Sequence, residues 1–250
     1  MVKQIFLEEY NKGRMTSENR QLEAEFKRRG LPIQYFTKKQ LFRGRLSVSR
    51  ETLVAGEIPV VENALGQIGI QFSRIDSYPE CLHELLKRRI WKSDLSRVLS
   101  DLESGIINDV FVKPSDRAKK FTGFVINSHS DLYGLGGISR KTPVYCSEVV
   151  DWISEFRVYI INSSVAGIRN YSGDPEIEID ESIVKKALFI LEELNVAPAG
   201  YAIDFGVLKN GETALVEMND GYSLGSYNLE DDKYADLLLA RWEELMSYIE

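Results

Sequence analysis

Asn210 and Gly211 stand between two runs of small and aliphatic residues in "AGYAIDFGVLKNGETALVEMND", residues 199–220. An Asn-Gly pair enters the left-handed turn of a two-strand hairpin at little steric cost, so the flanking runs are tied as antiparallel neighbours. The chain must therefore contain an antiparallel sheet with a largely apolar hairpin in it. Within that hairpin Asp204, Glu217 and Asn219 stand out as polar. Side chains two apart in a strand share a face, so Glu217 and Asn219 project together. If the turn closes between 210 and 211, Asp204 lies opposite Glu217. A buried acidic pair is costly without compensation, and a divalent cation provides it. Glu217 and Asn219, two oxygen donors on one face just before Gly221, suit a hard ion such as Mg²⁺, and Asp204 would join them in one oxygen-rich cluster. A plain polar strand end entering a turn explains each residue singly, but explains the three together less well.

The rest of the chain reads as mixed α/β. "KQIFLEE" predicts a strand, "SENRQLEAEFKRRG" a helix with Ser17 as N-cap and Gly30 as its stop, and "PIQYFT" a second strand. "ETLVAGEIPVVENALGQIGI" holds two more apolar runs broken by turn residues. Strand–helix–strand at this spacing favours parallel pairing. "PECLHELLKRRIWKSDLSRVLSDLESG" reads as helix with a break near Lys92, and a domain boundary falls within it. "NDVFVKPS" and "FVINS" read as a hairpin with a long basic tip, "SDRAKKFTG". "PVYCSEVV" and "EFRVYIINSSVAGIRNYSG" give further strands, the latter turning at "INSS". "DESIVKKALFILEELN", started by Asp180, and "DDKYADLLLARWEELMSYI" read as helices.

Charge is unevenly spread. Residues 1–173 hold 26 Lys/Arg against 20 Asp/Glu, whereas residues 174–250 hold 5 against 18. Solvated acidic surface accounts for most of the latter; the basic part suits phosphates or an acidic partner. Nucleic acid has no binding motif in its favour. No apolar run reaches membrane-span length, the start lacks a signal-peptide layout, and Cys81 and Cys146 are too sparse for a disulfide framework or metal site. The simplest compartment is the cytoplasm.

Two further stretches carry chemistry. Lys113 stands in "DVFVKPSDRAKKFTG", a lysine in an apolar strand followed by Arg117, Lys119, Lys120 and Gly123. The loop suits phosphate oxygens but lacks Walker spacing, and a solvated hairpin tip is the simpler account of it alone. In "SEVVDWISEFRVYI", Glu155 and Arg157 share a strand face, which an ordinary ion pair would explain. The alternative has the backbone at 148–151 meeting a nucleobase and Glu155 holding ribose hydroxyls.

Together, in this order, the stretches resemble the ATP-grasp superfamily, and most closely its small clade named for two arginines and one lysine. "VKPS" with a loop ending in glycine, the step of seven from Glu148 to Glu155, and the step of thirteen from Asp204 to Glu217 with Asn219 two further on are similar to D-alanine–D-alanine ligases. The resemblance implies an α/β (α+β) protein: a pre-ATP-grasp-like α/β domain over residues 1–90, then an ATP-grasp domain over 91–250 with antiparallel sheets and flanking helices. It also implies ATP and Mg²⁺ as cofactors. Lys113 would bind the α- and β-phosphates, and Lys92 would be the lysine preceding it. The backbone of Glu148, Val149 and Val150 would recognise adenine, and Glu155 the ribose. Lys119 or Lys120 would close over the phosphates, and Asp204, Glu217 and Asn219 would hold magnesium. Where D-alanine ligases carry an arginine two residues before the first metal ligand, this chain has Ala202; Arg157 and Arg169 are the candidates to supply that charge.

The implied reaction is ATP-dependent joining of a carboxylate to an amine through an acyl phosphate, on amino-acid or peptide substrates. A small-molecule kinase on the same fold, or a nucleotide-binding protein without catalysis, are the alternatives. His83 and Cys146 have no part in this chemistry.

Overall fold

The computed structural model describes residues 2–10, 13–71, 73–115, 121–131 and 137–248. The chain divides into two units, Met1–Leu85 with Trp152–Glu250, and Leu86–Asp151.

In the first unit, β1 (Gln4–Glu8) is the centre of a three-stranded parallel sheet, flanked by β2 (Ile33–Phe36) and β3 (Thr52–Ala55). The parallel pairing follows from the helical crossovers: α1 (Ser17–Arg28) joins β1 to β2, and the short α2 (Lys38–Phe42) lies between β2 and β3. The N-cap of α1 is Thr16, one residue before the expected Ser17; its side chain accepts from the Asn19 N–H. Gly30 does stop the helix, at φ +71°. Of the two apolar runs after it, the first is β3 and the second is a helix, α3 (Ile58–Gln67). Pro at its start and Val60, Val61, Ala64 and Leu65 buried along one face give that run a helical period.

The same unit holds an antiparallel sheet in the order β11-β10-β8-β9, from β8 (Trp152–Ile161), β9 (Ser164–Gly173), β10 (Gly200–Leu208) and β11 (Thr213–Asp220). Asn162 and Ser163, both left-handed, make the β8–β9 turn, as expected from "INSS". Every residue of β10 except Leu208 is buried. The helix α5 (Glu181–Glu193) begins at Asp180, whose carboxylate accepts from the Ser182 N–H, and it contacts a 3₁₀ turn at Glu80–Leu85. The last helix, α6 (Asp231–Ser247), contacts α1, β8 and β10. Trp242, Leu237 and Leu245 are fully or almost fully buried there. Each such side chain stabilises the unit by about 1.5–3 kcal/mol through removal from water.

The second unit is a sheet in the order β4-β7-β5-β6 with one helix. Its strands are β4 (Ile90–Asp94), β5 (Val110–Pro114), β6 (Phe124–Ile126) and β7 (Pro143–Ser147). Where the sequence reads as helix with a break near Lys92, the break is a full strand, β4, followed by α4 (Leu95–Glu103). Five residues of β4 pair with β7, and this long-range pairing overrides a charge-rich local sequence. Asp94 ends the strand and caps α4, accepting from the Arg97 N–H at 3.0 Å. Val98, Val110, Val112, Val144 and Cys146 form the buried centre. Gly123 is required by close approach, because a Cβ there would lie 2.4 Å from the Phe111 ring.

The α/β class, the parallel first sheet and the antiparallel sheets with flanking helices are as expected. Among the described residues no helix is long and apolar enough to cross a membrane.

Candidate active site

The antiparallel sheet of the first unit carries a row of charged residues across all four strands. Glu217 pairs with Asp204, Asp204 with Arg157, and Arg157 with Arg169. Near the turn β10 and β11 run one residue out of step with the expected register, Phe205 facing Leu215. A bulge at Val216 restores it, so Asp204 does face Glu217.

Asp204 and Arg157 are both buried, at 2% and 7% exposure. The Arg157 Nε and Nη2 groups donate to Asp204 Oδ1 and Oδ2 at 2.8 and 2.7 Å, a bidentate pair. The Asn219 amide nitrogen donates to Asp204 Oδ2 at 3.1 Å, which leaves its carbonyl oxygen as an acceptor. Two residues from Arg157 on the same face, Glu155 accepts the Tyr171 hydroxyl at 3.1 Å. The Tyr171 and Tyr227 rings stack with centroids 5.0 Å apart. The Arg157 guanidinium carbon lies 4.9 Å from the Tyr227 centroid. Arg169 donates through Nε to the Asn228 carbonyl at 3.1 Å and pairs with Glu230 at 2.6 Å.

Burial pushes the Asp204 carboxyl up to about 6; Arg157 pulls it back, and the charges of Glu217 and Glu155 add to the rise. For Arg157, burial works to lower the pKa, but the hydrogen bonds and charge of Asp204 outweigh it and the net shift is upward. The two upward shifts have different origins: Arg157 reports the pair itself, Asp204 the desolvation and flanking carboxylates. In the metal-free chain the net direction at Asp204 is therefore a rise.

Does this donor set fit magnesium? Among the described residues no group of three or more His, Cys, Asp or Glu could hold a metal, so the candidate set is two carboxylates and one amide. Of the four lone-pair sites on Asp204, Arg157 and Asn219 take three, leaving one on Oδ1. With the Asn219 carbonyl and the Glu217 carboxylate this is a hard, all-oxygen set of the kind that holds magnesium together with phosphate oxygens. The residues fit the ion.

The second unit brings its own candidates together. Lys92 on β4 and Lys113 on β5 both pair with Tyr145 of β7, and their ammonium groups lie 5.1 and 6.0 Å from its ring centroid. After β7 the Glu148 carboxylate accepts the Arg89 backbone N–H at 2.8 Å, and the Glu148 N–H donates to the Arg89 carbonyl. Val149 and Val150 make no backbone hydrogen bond among the described residues, and Val149 is 38% exposed. Arg117, Lys119 and Lys120 lie outside the described residues.

Residues 85–237 match the family model for the ATP-grasp domain, family 2 of the clade named for two arginines and one lysine. The chain belongs to that family. Among solved structures, this ATP-grasp chain is similar to the D-cycloserine synthetase DcsG (TM-score 0.63, 12% identity, covering 96% of this chain and 99% of that one). It is similar to the D-alanine–D-alanine ligase of Bacillus anthracis (TM-score 0.59, 15% identity, 98% of each chain). It is also similar to the macrocyclase MdnC of Microcystis aeruginosa bound with precursor peptide MdnA (TM-score 0.51, 12% identity, 94% and 99%). At these identities the likeness shows the shared ATP-grasp fold. No curated protein sequence matches the chain.

Tyr145, Tyr159, Tyr171 and Tyr227 are the site residues that sequence reasoning missed. No local signal marks them: Tyr145, Tyr171 and Tyr227 meet charged partners, and Tyr159 the Gly225 carbonyl, through a strand neighbour or a loop distant in sequence.

Proposed function

We propose that this ATP-grasp chain is an ATP- and magnesium-dependent ligase that joins a carboxylate to an amine, on amino-acid or peptide substrates, releasing ADP and phosphate. The observation that carries the proposal is the row Glu217–Asp204–Arg157–Arg169, with oxygen donors at one end and guanidinium groups at the other. Residues 1–90 are assigned to a pre-ATP-grasp-like domain and 91–250 to the ATP-grasp domain, and the family match beginning at residue 85 supports this.

In this reading Lys113 and Lys92 contact phosphate oxygens, the backbone of Glu148 to Val150 recognises adenine, and Lys119 or Lys120 binds the phosphates. Glu155 holds ribose hydroxyls through Oε1, since Tyr171 occupies Oε2. Asp204, Glu217 and Asn219 hold magnesium, which when bound neutralises charge on the β- and γ-phosphates. Arg157, supported by Arg169, stabilises the transferring phosphoryl group.

A substrate carboxylate oxygen bonds to the γ-phosphorus as the bond from that phosphorus to the bridging oxygen breaks, and ADP leaves. The amine nitrogen then bonds to the acyl carbon, the bond to the phosphate oxygen breaks, and the amine proton passes to solvent. No side chain serves as a covalent nucleophile.

The test is turnover of Mg-ATP against pools of amino acids and short peptides, beside Glu217→Gln, with products resolved by mass spectrometry. Amine-dependent ADP release with a new amide mass, lost in the variant, supports the ligase. A stable phosphorylated product makes the chain a kinase, and ATP binding without turnover makes it a binding module.

A further inference from the structure

The backbone of Tyr227 and Asn228 is left-handed at both residues, φ +42° and +60°. Neither is glycine, and two such residues in succession are strained unless their surroundings hold them. The Leu229 N–H closes the turn on the Ser226 carbonyl at 2.8 Å, and the other contacts of this loop reach the two arginines of the site. The Gly225 carbonyl accepts the Tyr159 hydroxyl at 2.8 Å and a longer bond from Arg157 Nη1 at 3.5 Å. The Asn228 carbonyl accepts Arg169 Nε, and the Glu230 carboxylate takes the same guanidinium. Leu229 is buried against Gly167, where a Cβ would lie 2.6 Å from its Cδ1. Tyr227 itself remains 41% exposed and its hydroxyl has no hydrogen-bond partner among the described residues. A strained backbone therefore supports an exposed ring whose contacts are Tyr171 and Arg157.

We infer that Tyr227 is a positioning residue for Arg157. Its ring fixes the guanidinium so that Nε–H and one Nη2–H stay on Asp204 while the N–H groups not bound to Asp204 or Gly225 are kept for the substrate. Tyr171 completes the device: one ring face supports Tyr227 and its hydroxyl holds Glu155, so the groups assigned to ribose and to the phosphoryl oxygens share one aromatic support. The role in turnover rests on the proposed reading of Arg157; the orientation of Arg157 does not. The ring matters and the hydroxyl does not, so Phe substitutes for Tyr227 and a ringless residue fails.

The experiment follows the arginine Nε–H signals in the proton–nitrogen NMR spectrum of the full chain without ligand. Arg241, whose Nε donates to Asp220 at 2.6 Å elsewhere in the same unit, is the internal control. Tyr227→Asn keeps a residue that tolerates left-handed backbone and removes the ring. Expected is exchange of the Arg157 Nε–H with water about tenfold faster, the scale of one desolvated cation–π contact, with Arg241 unchanged and Tyr227→Phe restoring protection. Unchanged Arg157 exchange in Tyr227→Asn, equal loss in Tyr227→Phe, or equal loss at Arg241 would each overturn the inference. Turnover of Mg-ATP with the amino-acid and peptide pools is read in parallel, and a fall in kcat with KM held is expected. If the unsubstituted chain turns over no ATP with any of the amino-acid and peptide pools, the ligase reading fails while the exchange rates still decide the role of Tyr227.

Discussion

Arg157 on β8 and Asp204 on β10 face each other across the sheet and share two hydrogen bonds, 2.8 and 2.7 Å long, with both side chains buried. A pair of this kind is costly to break from one side, because the survivor is left as an unmatched buried charge.

Arg157→Ala is therefore expected to destabilise the chain by about 3–5 kcal/mol, the range for one-sided loss of a buried ion pair. Replacing both partners, as Arg157→Met with Asp204→Leu, should cost less than the single change. Urea unfolding of the three proteins measures this. A double variant no more stable than Arg157→Ala would show that the charges are not the source of the cost.

Glu217 sits on β11 at the strand's half-buried end, paired with Asp204. Glu217→Gln keeps the shape and removes one negative oxygen ligand. Turnover of Mg-ATP should fall on the order of 10²-fold, the scale for loss of one preorganised charge contact. Stability should change little. A variant with full turnover would remove Glu217 from the metal set.

Lys113 and Lys92 flank the Tyr145 ring from the two neighbouring strands. If both reach phosphate oxygens, Lys113→Met should weaken ATP binding by about 10- to 100-fold, equivalent to the ~1.5–3 kcal/mol of a charged hydrogen bond. Calorimetric titration with Mg-ATP reads the effect. Equal affinity in the variant would leave Lys113 as part of the sheet surface alone.

Glu8 ends β1 almost fully buried, and its carboxylate accepts the Glu57 N–H at 2.8 Å. Burial raises its pKa above the ordinary 4.5, although that hydrogen bond works the other way. A carboxyl whose folded pKa is raised contributes stability that is full below its unfolded pKa and is lost as pH rises through the folded one. Wild type should accordingly lose stability relative to Glu8→Gln as pH rises from 4.5 toward neutrality. Unfolding curves across that window check the sign, and the opposite trend would mean that the Glu57 contact outweighs burial.

Cys146 is fully buried beneath the second unit's sheet, and burial, with the charges of Asp101 and Asp94, pushes its thiol up to about 12. The thiolate is the reactive form, so alkylation at pH ~8 should label the partly exposed Cys81 first and reach Cys146 only as the unit opens. Peptide mapping after timed labelling distinguishes the two. Equal rates at both cysteines would mean that the unit opens faster than reagent reacts.

Much of the site is written in short spans of sequence. The Asn210–Gly211 signal marks the β10–β11 turn, which closes as a three-residue loop between Leu208 and Glu212 with only Gly211 left-handed, and the period of two puts Glu217 and Asn219 on one face. Even there, Asp204 meets Glu217 only because Val216 is bulged out, a correction that no local pattern announces. The strand at Ile90–Asp94 hid in a helix-like run, because its partner β7 lies some fifty residues away and supplies the hydrogen bonds that the local sequence does not.

The sequence by itself determined the α/β class, the hairpin and the oxygen-rich strand end, which depend on neighbours a few residues apart, and the family, which depends on the order and spacing of short motifs. Tertiary structure alone decided that Arg157 pairs with Asp204 through two of its N–H groups and that Lys92 joins Lys113 over Tyr145. It also decided that two tyrosines stack beside Arg157. Those contacts join strands and loops far apart in the chain. Which residues meet there is set by sheet order and register, and the free energy that fixes both comes from burying the whole core rather than from any one segment.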